Sequence, residues 1–229
     1  MWTQILPFLL AASLGFRHAF ETDHLAAVSN IVTRRHSLML AMKDGTFWGL
    51  GHSFSILIVG FIMLILRSEI SEKYFQSMEG FVGMMIIGLG IFRLVQFLKQ
   101  TRPRIHKHEH THDGKTHTHI HLHTGAGHTH AHLHKLSFGV GIIHGLAGSG
   151  VLIIAAMAAM KTVGSSLLFL VTFSIGCIAG MVVAAALLGL PFSRKLHSFI
   201  KVQHALVIFS CAICIALGGK IMIENWSAF

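Results

Sequence analysis

Six long apolar blocks limit what this chain can fold into. They cover roughly residues 4–31, 45–66, 79–99, 137–160, 164–190 and 198–223. A run of about 20 apolar residues crosses the hydrocarbon core of a bilayer as one α-helix. Only 12% of the residues are charged, about half the share of an average soluble domain. The sequence therefore predicts an all-α integral membrane protein with six transmembrane helices.

The basic residues divide unevenly between the two ends of these helices. If the six spans alternate in direction, twelve Lys and Arg residues fall on one side and four on the other. The richer side receives Arg34, Arg35, Lys43, Lys99, Arg102, Arg104, Lys107, Lys115, Lys135, Arg194, Lys195 and Lys201, and the other side receives Arg67, Lys73, Lys161 and Lys220. The positive-inside rule places the richer side in the cytoplasm. We therefore expect a multi-pass protein of the bacterial plasma (inner) membrane, with both termini outside. This sorting of the basic residues to one side of the membrane accounts for the net charge of +9. We therefore expect the lipid bilayer, and not a nucleic acid, as the partner.

The two halves of the chain share a weak internal repeat. G-F-R-H at 15–18 in the first block is matched by G-I-I-H at 141–144 in the fourth. His52 follows His18 by 34 residues, and Cys177 follows His144 by 33 residues. Because each half holds three spans, the second copy would be inverted, as in many secondary transporters. We predict a three-helix repeat over 1–100, a His-rich cytoplasmic loop over 101–136 and a second three-helix repeat over 137–229.

The predicted loop holds twelve of the nineteen histidines, in three blocks of four at alternate positions. The blocks are His106, His108, His110, His112; His117, His119, His121, His123; and His128, His130, His132, His134. In an extended chain, alternate residues point to the same side. His-rich tracts of this kind are typical of metal binding, so we expect the loop to capture metal ions.

Five ionisable residues interrupt the first apolar block. They are Arg17, His18, Glu21, Asp23 and His24, within the segment RHAFETDH. Each such group in the middle of a spanning helix costs about 2.5–3.5 kcal/mol on insertion scales, so these groups indicate a function. His18 and Asp23 would lie about 140° apart on a continuous helix of 3.6 residues per turn. We therefore expect the first span to be unwound here or encircled by protein, and the glycine-rich segment 144–150 to be irregular as well.

Two histidines and an aspartate within seven residues indicate a metal site. His52 in the second span joins the candidate ligands His18, Asp23 and His24, and the internal repeat adds His144. Imidazole with one carboxylate suits nickel, cobalt, copper or zinc, whereas calcium and magnesium prefer mostly oxygen ligands. We expect Arg17 and Glu21 to pair with each other or with polar groups that surround the ligands, and not to bind the ion.

The three cysteines lie within predicted spans. Cys211 and Cys214 form a C-x-x-C in the last block, and Cys177 lies in the fifth. We interpret them as apolar helix residues, since free cysteine behaves as a small hydrophobic side chain.

Two segments resemble the signatures of a known transporter family. RHAFETDHLAAVSN at 17–30 is similar to the H-x4-D-H signature of the nickel/cobalt permeases, and WGLGHSFSIL at 48–57 is similar to their L-G-H-S signature. Glu21-Thr22 stands where the larger permeases usually have Asp-Ala, and six predicted spans replace their eight. That pattern resembles the short branch related to urease-accessory nickel permeases. The resemblance implies that His18, Asp23, His24 and His52 handle the metal, with Ser53 nearby.

The same resemblance implies a function. We expect uptake of nickel or cobalt, with no permanent cofactor, with Zn²⁺ as a possible bound substitute, and with cytoplasmic nickel chaperones of urease or hydrogenase assembly as partners. Some six-span relatives export nickel or cobalt and carry a His-rich loop in the same place, so efflux is the alternative. The aspartate before His24 is typical of the uptake type.

An intramembrane protease is the alternative from a different functional class. Rhomboid proteases also have six spans, with a serine in the fourth and a histidine in the sixth, and here Ser149 and His204 lie in those spans. However, Ala147 replaces the first glycine of their G-x-S-G motif, and the histidines of the first two spans would have no role. We therefore expect a transporter and not an enzyme.

Overall fold

Long helices make up most of the computed structural model, which describes residues 2–35, 37–66, 72–101, 104–112, 115–123, 133–147, 160, 162–193 and 200–226. In chain order the helices are α1 (Trp2–His18), α2 (Thr22–Val32), α3 (Leu38–Leu66), α4 (Glu72–Thr101), α5 (Leu133–Ala147), α6 (Val163–Gly189) and α7 (Ile200–Glu224). A short 3-10 turn, Leu190–Phe192, follows α6. The only strands within the described ranges are β1 (Arg104–His112) and β2 (Lys115–His123).

Four of the described helices are long and apolar enough to cross a membrane. These candidate spans are Leu38–Ile65, Lys73–Lys99, Val163–Phe192 and Ile200–Glu224. They correspond to the second, third, fifth and sixth apolar blocks, and α3 and α4 each begin seven residues before the predicted boundary. The expected fourth span begins as α5, which remains helical to Ala147. The irregularity expected over 144–150 is therefore wrong for 144–147, which continue α5, and 148–150 lie outside the described residues.

The first apolar block is two helices and not one. α1 ends at His18, where Phe20 and Glu21 donate their amides to the carbonyls of Arg17 and His18 at 2.9 and 3.0 Å. Glu21 then adopts an extended conformation, with φ −63° and ψ 151°, and α2 begins at the next residue. The expected unwinding beside the ionisable residues is therefore confirmed.

Glycines bring α5 against α3 at the level of the histidines. A Cβ on Gly141 would lie 2.2 Å from the carbonyl oxygen of Trp48, and one on Gly145 would lie 2.4 Å from that of His52. These two glycines form a G-x-x-x-G pattern, which lets helix backbones approach closely in membranes. His144 lies between them in sequence, so this contact fixes its place beside α3.

A second glycine contact joins α1 to α6 with very similar geometry. A Cβ on Gly15 would lie 2.0 Å from the carbonyl oxygen of Phe173 and 3.0 Å from the amide nitrogen of Cys177. The corresponding distances for Gly141 are 2.2 Å to Trp48 and 2.9 Å to the amide nitrogen of His52. α4 packs against α7, where Gly83 and Gly218 face each other.

A buried polar cluster joins α2 to α7. The Nδ2 of Asn30 donates to the sulfur of Cys214 at 2.6 Å, and its Oδ1 accepts from Ser210 at 3.3 Å and from Cys211 at 3.5 Å. The thiol of Cys214 also donates to the carbonyl of Ala26 at 3.0 Å. The two C-x-x-C thiols are therefore buried, as expected, but they also form hydrogen bonds that the sequence did not indicate.

An ionic cluster joins the ends of α2, α3 and α5. Arg35 and Asp44 are buried and form a two-pronged ion pair, with Nη2 of Arg35 2.8 Å from Oδ1 of Asp44. Nδ1 of His134 lies 2.7 Å from the same oxygen, and its ring stacks on Phe47. His134, expected among the loop histidines, is therefore part of α5 and contacts the helical core.

The first two histidine blocks occupy an antiparallel hairpin. β1 pairs with β2 so that His106 is opposite His121, His108 opposite His119 and His110 opposite His117. The extended backbone considered for these blocks is therefore present in both. The remaining loop histidines, His128, His130 and His132, lie outside the described residues.

The glycine contact between α5 and α3 predicts that alanine destabilises the protein at Gly145 but not at Gly139, on the same helix. Gly145→Ala should lower the melting temperature of the purified protein, because the new Cβ has no room beside the His52 carbonyl. Gly139→Ala is the matched control, since a Cβ there meets nothing within 4 Å. It should not lower the melting temperature and should increase helix stability by roughly 0.5–1 kcal/mol. Equal damage by both substitutions would show that close packing at Gly145 is unimportant.

The hydrogen bonds of Asn30 predict that its replacement lowers the stability of the protein although no histidine is altered. Asn30→Ala should cost about 1–3 kcal/mol in the free energy of unfolding, because it removes the hydrogen bonds that the buried Asn30 side chain forms with Ser210, Cys211 and Cys214. Ser13→Ala is the control, since the exposed Ser13 bonds only to the carbonyl of Leu9 in its own helix. Thermal unfolding in detergent measures both. Asn30→Ala with native stability would refute this role.

Candidate metal centre

Four buried histidines from four helices meet around the break in the first span. His18 is the last residue of α1, His24 lies in the first turn of α2, His52 lies in the middle of α3 and His144 lies near the end of α5. None of these four side chains is more than 3% exposed. The break is what brings His18 and His24 together, since a continuous helix would separate them by about 240°.

Three of the imidazoles form one compact group. The ring centroids of His18 and His24 are 4.6 Å apart, those of His18 and His52 are 5.3 Å apart, and those of His24 and His52 are 5.0 Å apart. One ring nitrogen from each lies within 4.8 Å of those of the other two. Three nitrogen atoms at this spacing could coordinate one metal ion after small movements.

The carboxylate of Asp23 builds a second group that shares His24. The carboxylate can only accept, so Nδ1–H of His24 donates to Oδ1 at 3.1 Å and Nε2–H of His144 donates to Oδ2 at 2.8 Å. One ligand atom each from Asp23, His24 and His144 also lies within 4.8 Å of the others. The structure therefore brings all five expected ligands together, as two overlapping sets of three.

Several ring nitrogens in this cluster lack a hydrogen-bond partner among the described residues. They are both nitrogens of His18 and His52, Nε2 of His24 and Nδ1 of His144. Nδ1 of His18 lies 3.0 Å from Oε1 of Glu21 but without hydrogen-bond alignment. A buried polar group left unpaired costs about 1–3 kcal/mol. Unpaired lone pairs at this density are suited to a cation, which could accept several of them at once.

Aromatic side chains form the apolar wall of the cluster. The ring of Trp48 stacks on His24 at 5.9 Å and lies 5.7 Å from the ring of His144. The ring of Phe173 lies 5.7 Å from that of His18. Sequence reasoning did not identify these residues. The signal for Trp48 was its position one helical turn before His52, and Phe173 stands in the same relation to Cys177.

The three residues expected near the metal ligands, Arg17, Glu21 and Ser53, differ in their contacts and exposure. Glu21 contacts His18 and not Arg17, whose side chain is exposed. Ser53 is buried beside His52 and donates to the carbonyl of Ser174 at 3.3 Å. It therefore ties α3 to α6 next to the histidines.

The arrangement considered for a protease has no counterpart among the described residues. His204 is exposed, and its ring lies edge-on to Phe97 at 5.1 Å. Ser149 lies outside the described residues. His204 is therefore in contact with α4 and is not part of the buried histidine cluster.

Comparison with known proteins gives relatives of one kind. The chain is 32% identical over 194 residues to the urease accessory protein UreH of Bacillus sp. (strain TB-90), an alignment that covers 85% of this chain and 80% of UreH. It is 29% identical over 98 residues to the nickel transporter NixA of Staphylococcus aureus, with 38% of this chain and 28% of NixA covered. It is 30% identical over 95 residues to the high-affinity nickel transport protein of Cupriavidus necator, with 38% and 25% covered.

No family model and no solved structure matches the chain. The relationship to UreH nevertheless extends over most of both proteins, and the two nickel transporters match a shorter part of the chain. The long apolar helices agree with a multi-pass membrane protein. The chain thus belongs to the nickel/cobalt permease superfamily, in the branch that contains the urease accessory protein UreH.

Proposed function

We propose that the protein carries nickel into the cell through the buried histidine cluster. The observation that carries this proposal is the convergence of four buried imidazoles and one carboxylate, with unpaired ring nitrogens, inside a bundle of membrane-type helices. Two relatives are named as nickel transporters, and neutral imidazole is a good ligand for Ni²⁺. Nickel is the cargo here and not a permanent cofactor. Co²⁺ is a second substrate by the same chemistry, and Zn²⁺ a bound substitute.

The two overlapping ligand sets give the ion a path with a shared ligand. His24 belongs both to the set with His18 and His52 and to the set with Asp23 and His144. An ion can therefore exchange one pair of ligands for the other while His24 stays bound. Because it never loses all its ligands at once, the barrier between the two positions stays low. Asp23 has a second task, since its hydrogen bonds fix the ring orientations of His24 and His144.

The architecture that we propose is a pair of inverted three-helix repeats. The contacts of Gly15 with Phe173 and of Gly141 with Trp48 support it, because each glycine precedes its matched histidine, His18 or His144, by three residues. Phe173 and Trp48 precede the matched positions Cys177 and His52 by four residues each. The contacts between helices agree as well. In each half the first span packs on the second span of the other half, so that α1 contacts α6 and α5 contacts α3.

We propose that the direction of transport is inward. The uptake-type motif, with Asp23 directly before His24, favours this direction. With both termini outside, the histidine hairpin over 104–123 lies in the cytoplasm. It would receive ions that leave the helical core and pass them to nickel chaperones that serve urease or hydrogenase assembly.

Because we assign transport to the buried histidines and ion reception to the loop, substitutions in the two groups should have different effects. His24→Ala should abolish ⁶³Ni²⁺ flux into oriented membrane vesicles, because both ligand sets lose their common member. Replacement of the loop histidines by serine should leave measurable flux at saturating metal, because neither proposed ligand set includes them. His134 is kept in that variant, since it contacts Asp44 of α3.

Membrane insertion of both variants is checked by their yield and gel-filtration profile. If the loop variant were as inactive as His24→Ala while still folded, the loop would belong to the transport path. If His24→Ala retained flux, the cluster would not be the transport site. Metal extrusion by the native protein in the same vesicles would replace uptake with efflux.

A further inference from the structure

A cavity of about 570 Å³ opens beside the break in the first span. It lies between the first part of α4 and the end of α7, and its inner wall is formed by the α1–α2 connection and the end of α5. Asp23 and His144 belong to this wall. One of the two proposed ligand sets is thus reached directly from the cavity.

The charge of the cavity is opposite to that of the chain. Among the described residues, its lining includes four of the protein's nine acidic residues, Glu21, Asp23, Glu79 and Glu224, and one lysine, Lys220. The chain as a whole has a net charge of +9. A concave surface with one sign of charge raises the local concentration of counter-ions. This surface is therefore suited to a cation and unsuited to an anion.

The acidic residues form a series that leads inward. The side chain of Glu224 is 59% exposed and that of Glu21 is 55% exposed, whereas Glu79 is partly buried and Asp23 is 23% exposed. His144 ends the series, fully buried, with its Nδ1 unpaired among the described residues. An unpaired, buried imidazole at the inner end of an acidic cavity points to a metal ion as the ligand.

The other ends of α3 and α5 are joined by the ion pair of Arg35 with Asp44 and by the contact of His134 with Asp44. Asp44 precedes His52 by eight residues, and His134 precedes His144 by ten, so these contacts lie about 12–15 Å along the helices from the cluster at 1.5 Å per residue. The structure therefore combines a cavity on one side of the cluster with tight ionic packing on the other.

We propose that this cavity is the outer entrance of the transporter and that Glu79 and Glu224 capture the hydrated divalent cation before it reaches the histidines. Carboxylates hold hydrated divalent cations through their water shell, whereas the imidazoles replace that water. Lys220 lies 3.6 Å from Glu224 and weakens the capture by partly neutralising it. This inference rests on the proposed function, since it assigns the route to the same site.

The first test is the concentration dependence of ⁶³Ni²⁺ uptake. We expect KM to rise by about fivefold at low salt in Glu79→Gln and in Glu224→Gln. Each variant removes one negative charge, and a fivefold change corresponds to the attraction between one charge and a divalent ion about 8 Å away in water. The maximal rate should change little, because the ligands stay intact. Lys220→Gln should lower KM, and Glu79→Asp, which keeps the charge, should restore most of the affinity lost in Glu79→Gln. Tyr74→Phe, an exposed change near the same end of α4, should leave KM unchanged.

Salt supplies a second readout that a merely structural role would not change. The KM of the native protein should rise with ionic strength, because salt screens the cavity charges. The double variant Glu79→Gln/Glu224→Gln should show a weaker dependence.

The variant Glu79→Cys tests on which side of the membrane the cavity opens. The native cysteines, Cys177, Cys211 and Cys214, are all buried, so the new thiol is the main target for a membrane-impermeant methanethiosulfonate. The thiolate forms a mixed disulfide with the reagent and releases methanesulfinate. From outside, a sulfonate-bearing reagent should lower KM towards the native value, and a trimethylammonium-bearing reagent should raise it further.

Three results would overturn the inference. An unchanged KM in the double variant would remove the cavity from the route, while inactivity of His24→Ala would still support the histidine site. Modification of Glu79→Cys only from the cytoplasmic side would place the cavity on the wrong face. Identical effects of the two charged reagents would mean that steric obstruction, and not charge, explains the result.

Discussion

The carboxylate of Asp23, held between two buried imidazoles, is the contact on which the centre of this protein depends. It joins the start of α2 to the end of α5, and α5 is itself packed backbone to backbone on α3 beside His52. A carboxylate at this depth would be costly without partners, and the two ring N–H groups satisfy it. The break after His18 serves the same contact, because it turns the start of α2 towards α5 and leaves His18 beside His24. The proposed metal path, its entrance and the close helix contacts all surround this one arrangement.

Close packing by glycine explains how such an arrangement persists in lipid. Apolar side chains gain little from helix association when the surrounding solvent is itself apolar, so contact between backbones and buried hydrogen bonds must contribute more. Gly141 and Gly145 provide such contact at the histidines, and Gly15 provides it for α1. Asn30 adds a polar contact between α2 and α7. The short helix α2 is therefore tied on one side by Asp23 and on the other by Asn30, which explains how so short a segment can hold two candidate metal ligands in place.

Much of this could be predicted from the sequence, because the signals were local. Apolar length predicted the long helices, and the angular separation of His18 from Asp23 predicted the break. The parts that could not be predicted depend on contacts between distant segments. Nothing near Asn30 indicates that it meets the C-x-x-C of α7, and nothing near Glu79 indicates that it shares a cavity with Glu224. The early starts of α3 and α4 were missed for a related reason, since apolarity alone does not detect polar helical turns such as the one whose Asp44 pairs with Arg35.

The coordination of bound nickel tests the central claim most directly. X-ray absorption spectroscopy should be measured on the purified Ni²⁺-loaded protein whose loop histidines, except His134, are replaced by serine. The account predicts a first shell with three or more nitrogen ligands at distances similar to those of zinc–imidazole bonds, about 2.0–2.1 Å, together with the outer-shell scattering of imidazole rings. His24→Ala in the same background should lose that scattering. A first shell of oxygen atoms alone, unchanged by His24→Ala, would contradict the assignment of the buried histidines as the transport site.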